Sequence, residues 1–77
     1  MKVEYDREAD AIYMSFSNKP YAFGEDLDRE RRIDYSADGS PIGLELTCVG
    51  SGVLLDNLPY RDEIAAELDR LEIRVLV

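Results

Sequence analysis

The chain is poor in residues that carry redox, metal or nucleophilic chemistry. Its 77 residues include one cysteine, no histidine and no tryptophan. An intrachain disulfide is therefore excluded. One thiol cannot supply the soft ligands of a tetrahedral zinc site. With no imidazole beside it, Cys48 also lacks the usual activation of a cysteine nucleophile, and the expectation is a small core residue. Apolar runs are short, and none approaches the roughly 20 residues of a membrane-spanning helix. Met1-Lys2-Val3-Glu4 shows no signal-peptide apolar stretch. Together with the lone thiol, this makes a cytoplasmic protein the expectation.

Positive charge is scarce too. Nine Lys and Arg face seventeen Asp and Glu, for a net charge of −8. A surface of that sign repels phosphate backbones and anionic lipid, so neither nucleic acid nor a membrane is an expected partner. It suits solubility, and it suits a basic protein partner.

What is present is an ordinary share of apolar residues, 45% of the chain, which argues against global disorder. A chain this short buries only about 60% of the surface its unfolded form exposes. Small domains often gain stability from disulfides, metals or a second subunit. With the first two disfavoured, a homo-oligomer is expected.

The order of residues is more informative than their proportions. Val3 and Tyr5 alternate with Lys2, Glu4 and Asp6, and Ile12, Met14 and Phe16 alternate with Ala11, Tyr13, Ser15 and Ser17. Two half-buried strands joined by the short polar segment Asp6–Asp10 must pair antiparallel. Ile33 and Tyr35 begin a third strand, Ile33–Ser36, and Ile42, Leu44, Leu46 and Cys48 mark a fourth, Ile42–Cys48. Asp38-Gly39 between them is a hairpin signal, because Gly tolerates the positive φ of such turns. Pro41 belongs at the first residue of its strand. Segment 22–27 reads as a short edge strand or a loop.

After Gly50-Ser51-Gly52 and the apolar link Val53-Leu54-Leu55, Pro59 suits the first turn of a helix. Tyr60, Ile64, Leu68 and Leu71 form one apolar stripe along it. Ile73, Val75 and Val77 alternate and are β-branched, which favours a final strand over a longer helix. The expected fold is α+β, one domain over residues 1–77. It has about four antiparallel strands in two consecutive hairpins, a C-terminal helix packed on their apolar face, and a closing short strand.

Tyr5-Asp6-Arg7-Glu8-Ala9-Asp10-Ala11-Ile12-Tyr13-Met14 resembles the opening motif of a small bacterial family, domain of unknown function 2283. Ile33-Asp34-Tyr35, the Asp38-Gly39 turn and Ile42-Gly43-Leu44-Glu45-Leu46 resemble its second motif. The resemblance covers about residues 3–49. Arg7 stands where the family commonly has proline, and Arg31 and Arg32 stand where its strand is usually apolar. The resemblance implies a small α+β domain without an established activity. It also implies that an antitoxin-like role, pairing with a small toxin, is open.

Candidate chemistry is limited. Asp6, Glu8 and Asp10 place three carboxylates on one turn, which suits either a weak divalent-cation site or hydrogen bonds to turn amides. Glu4, Asp34 and Glu45 share the lighter sheet face, where carboxylates serve either acid–base work or solvation. Tyr13 is a large aromatic among Ala11, Ser15, Gly43 and Thr47. It suits a protein interface or coverage by Tyr21-Ala22-Phe23, and Gly43 is small where Tyr13 or another backbone crosses it. Tyr13, Tyr21 and Phe23 are therefore the interface candidates, with no catalytic, cofactor or metal residue assigned. The expectation is an interaction module and not an enzyme. A carboxylate-based ligand binder or enzyme, and a purely structural subunit, are the alternatives.

Overall fold

Apolar alternation in the first two-thirds of the chain is realised as one five-stranded antiparallel sheet. The computed structural model describes residues 1–76. The sheet comprises β1 (Lys2–Asp6), β2 (Ala11–Ser15), β3 (Phe23–Asp26), β4 (Arg31–Tyr35) and β5 (Pro41–Thr47), in the order β1-β2-β5-β4-β3. It has five strands, not four. Segment 22–27 supplies the additional edge strand, and Leu27–Glu30 turns it into β4, with the Leu27 amide donating to the Arg31 carbonyl at 2.8 Å. The third strand begins at Arg31, two residues earlier than its apolar residues suggest, and Pro41 does open β5.

Register brings the bulky residues into rows. Val3, Met14, Leu44 and Ile33 lie opposite one another across four strands, and Tyr5, Ile12, Leu46 and Arg31 form the next row. Met14 and Leu44 are fully buried. A register shift at Asp34/Tyr35 sets Tyr35 opposite Pro41 and leaves Ile42 as the extra residue of β5.

Cys48 departs from the expected pattern. It is exposed, with φ 55° and ψ 41°. This left-handed residue ends the strand's alternation, and a single 3₁₀ turn, Val49–Ser51, begins after it with Val49 taking the buried position. The segment Val53-Leu54-Leu55 is more than a link, because Val53 and Leu55, with Val49 and Leu58 on either side of it, enter the core cluster.

The helix α1 spans Arg61–Arg70. Pro59 precedes it, so it is not in the first turn, and Tyr60 is its left-handed N-cap at φ 52° and half exposed. The stripe that reaches the core is narrower than expected: Ile64 and Leu68 are fully buried in the same cluster as Met14 and Leu44, with Leu71 packed at its margin. Asp62 and Glu63 in the first turn and Arg70 in the last complement the helix dipole. No glycine ends the helix. Glu72 itself takes the left-handed position (φ 61°), its amide donating to Asp69 O and that of Ile73 to Leu68 O. These are the paired bonds of a Schellman stop.

That stop redirects the chain into the expected strand. β7 (Val75–Leu76) pairs in parallel with β6 (Val53–Leu54) as a separate two-stranded sheet. Val77, which the sequence pattern also assigned to that strand, lies outside the described residues. The helix, both short strands and their linkers thus cover one face of the large sheet, and the other face stays open.

Candidate functional site

The open face collects the lighter residues of every strand. One row runs Glu4, Tyr13, Glu45, Arg32 and Asp26, and the next runs Lys2, Ser15, Gly43, Asp34 and Gly24. Period-2 geometry dictates this, since every residue between two core residues points away from the core.

Tyr13 is its centre. The ring lies diagonally across the adjacent strand, directly over Gly43, where a β-carbon would collide with the phenol. Gly43 is therefore small because Tyr13 crosses it, as the sequence suggested. The phenol then donates to Asp34 Oδ2 at 2.8 Å. Arg32 lies over Gly24 in the same manner, so two glycines flank Asp34 and a side chain covers each. Arg32 donates from Nη1 to Asp26 Oδ1 at 2.9 Å, and its Nε stands 3.7 Å from Asp34 Oδ1.

The electrostatics follow from the neighbours. Burial pushes the Tyr13 phenol up to about 12, assisted by its bond to Asp34 and by the charges of Asp34, Glu45 and Glu4. At neutral pH it is a fixed hydrogen-bond donor. Arg32 is held charged above its usual range, by Asp26 first and then by Tyr21. Lys2 Nζ lies 3.9 Å from Glu4 Oε1, with both side chains largely exposed. On this face Glu4, Asp26, Asp34 and Glu45 outnumber Lys2 and Arg32. A wide, shallow depression opens beside Tyr13, lined by Glu4, Asp6, Ala11, Glu45 and Thr47 among others.

The three aromatic candidates do not form one patch. Tyr21 is 58% exposed and interacts with Arg32. Phe23 stacks on Tyr35 with ring centroids 5.1 Å apart, and Tyr35 packs against the core, so this pair belongs to the helix-bearing side. The loop 21–23 does not roof Tyr13. It is Asp34, not a second aromatic, that engages Tyr13; strand alternation puts both on this face but does not pair them.

The acidic turn has other work. Asp6 Oδ1 accepts the Ala9 amide at 3.1 Å, as a turn residue does. Asp10, left-handed at φ 55°, reaches the Gly50 amide through Oδ1 at 2.9 Å, while its carbonyl accepts the Val49 amide. Asp10 therefore pins the hairpin to the 3₁₀ turn across 40 residues of sequence. Among the described residues, no group of three or more acidic, cysteine or histidine side chains is arranged to hold a metal ion. Asp38 is likewise a turn residue, bonded to Ser36, Ser40 and Lys19, with Gly39 at φ 84°.

The model of a family described as "Protein of unknown function (DUF2283)" matches residues 2–48. The chain belongs to that family. The DUF2283 segment is the whole five-stranded sheet, including Tyr13, Gly43 and Asp34. The helix and the small parallel sheet lie beyond it. No curated protein and no solved structure matches the chain. Among the described residues no helix is long and apolar enough to cross a membrane.

Proposed function

We propose that this chain is a small protein–protein interaction module that associates with itself and presents its open sheet face to a basic partner. One observation carries the reading. The face left uncovered by the helix is centred on a rigidly held tyrosine and edged by Glu4, Glu45 and Asp34. An immobilised aromatic surrounded by like charges gives a partner contact area at little entropic cost, with electrostatic steering toward cations. An antitoxin-like pairing with a basic protein is the finer form of this reading. The unpaired Cys48 suits a reducing cytoplasm.

The test is a titration of the ¹⁵N-labelled protein with a Lys- and Arg-rich peptide. Shifts are expected at Glu4, Tyr13, Asp34 and Glu45, weakening with salt as the screening length falls to about 10 Å at 0.1 M. Glu45→Lys is expected to reduce affinity about tenfold. Tyr13→Ser separates a defined site from diffuse attraction, because it preserves the charge and removes the ring. Shifts spread over the whole acidic surface, or binding indifferent to Tyr13→Ser, would overturn the reading.

A further inference from the structure

Among the described residues the sheet has two free edges, β1 and β3, and they differ. Edge β3 carries Glu25 and Asp26 side by side, so a second copy paired antiparallel about either of them would set that carboxylate against its own copy. Edge β1, Lys2-Val3-Glu4-Tyr5-Asp6, follows directly on Met1 and has its apolar residues on the core side and charges of both signs on the open side.

The direction of the β1 backbone groups follows from the ladder. The Phe16 amide donates to Ile42 O on β5 at 2.8 Å. Alternation along β2 then turns the amides and carbonyls of Tyr13 and Ser15 toward β1, where Glu4 and Lys2 receive them. The amides and carbonyls of Val3 and Tyr5 are left facing outward along the free edge.

Two-fold antiparallel pairing of this edge must keep apolar residues opposite apolar ones, and two such registers pair five residues of each copy. Centred on Glu4, it sets Glu4 against its own copy. Centred on Val3, it sets Lys2 opposite Glu4 of the second copy twice, Val3 opposite Val3, and Met1 opposite Tyr5. The second register has no like-charge pair. It covers Met1, which is 52% exposed, and extends both apolar rows of the core into the second subunit. The exposed apolar surface continues past the strand, because Met1, Phe16 and Tyr60 line one depression and the Phe16 and Tyr60 rings lie 5.0 Å apart.

We propose that a second copy of this chain adds to edge β1 in the Val3-centred register, joining two sheets into one of ten strands. This rests on the self-association part of the reading above and names its surface. The isologous pair forms main-chain hydrogen bonds through Val3 and Tyr5, and the Lys2–Glu4 contacts set the register.

Sedimentation equilibrium across a concentration series tests it with charge reversals at exposed positions, which leave the core intact. Lys2→Glu and Glu4→Lys are each expected to weaken the dimer about tenfold. The double variant Lys2→Glu/Glu4→Lys is expected to restore it, because each reversed charge again faces its opposite. Asp6→Lys is expected to leave it unchanged, since Asp6 lies beyond the paired residues in this register. A Glu4-centred pairing gives the reverse pattern, with Asp6→Lys disruptive and the double variant unrescued, and that result would overturn the register. A wild-type monomer at every concentration would sink self-association itself. A dimer indifferent to all four variants would preserve self-association and refute this edge.

Discussion

The hydroxyl of Tyr13 on β2 reaches Asp34 on β4 by passing over Gly43 on β5, the strand between them. β2 is thereby tied, on the face away from the core, to a strand 21 residues away in sequence. The contact requires a large residue, a glycine and an acceptor in successive positions, and the sheet order β2-β5-β4 supplies that sequence of neighbours.

A methyl group at position 43 has no room while the ring is present. Gly43→Ala is expected to destabilise the domain by about 1–3 kcal/mol through overpacking. In a Tyr13→Ser background the same substitution should cost far less, and the two should couple by roughly 0.5–3 kcal/mol. Urea denaturation of the four proteins of this cycle measures it. Additive costs would mean that the ring does not cover Gly43.

Tyr13 also sets an alkaline limit. Its folded pKa is about 12 against 10.0 for the free phenol, raised by burial and then by Asp34. The folded state thus keeps a proton that the unfolded chain releases. The resulting stabilisation is complete below pH 10 and is lost as pH rises from about 10 toward 12. Phenolate absorbance should show one tyrosine titrating near 12, and Asp34→Asn should lower that value by removing both the acceptor charge and its field. Unchanged titration in Asp34→Asn would exclude Asp34 as a cause.

Much of the sheet was legible because one face is buried and side chains alternate strictly, so Val3, Met14, Leu44 and Ile33 announce a common direction. The prominence of Tyr13 was legible for the same reason, as a large residue in a small-residue row. Its bond to Asp34 was not, because it depends on strand order and register between β2, β5 and β4. Phe23–Asp26 gave a weak signal, since an edge strand with Gly24 and two acids has little apolar alternation. Cys48 and Tyr60 were misplaced by one shared cause: each sits at a periodic position, yet each adopts a left-handed backbone that interrupts the period. Short turns interrupt every period between Val49 and Leu58, which is why Val53-Leu54-Leu55 reads as a link although Val53 and Leu55 belong to the core together with Val49 and Leu58.

Arg31 shows the same limit and yields a sharper prediction. A charged residue at the start of β4 argues against burial, yet its side chain is 8% exposed. Its Nη1 donates to the carbonyls of Leu54 (3.0 Å) and Asp56 (2.6 Å), and its Nε donates to Asp28 Oδ2 at 2.9 Å. Asp28 has its pKa lowered in turn. Desolvation acts to raise it, but the Glu30 amide and the Arg31 guanidinium together outweigh that. Arg31 therefore fastens the chain around β6 to the large sheet, where a two-residue parallel pair would be marginal alone. Arg31→Met retains the aliphatic bulk and orphans both carbonyls, so a loss of about 2–4 kcal/mol is expected. Arg31→Lys should recover only part of this, because an ammonium lacks the planar fork. Asp28→Asn should cost less than about 1 kcal/mol, as its carboxylate is half exposed. The Val53 amide, which donates to Arg74 O at 2.9 Å, reports the fastening directly. Its hydrogen exchange should accelerate in Arg31→Met more than exchange at Met14 in the sheet core. Equal acceleration at both amides would show that Arg31 stabilises the domain globally and does not hold the small sheet in place.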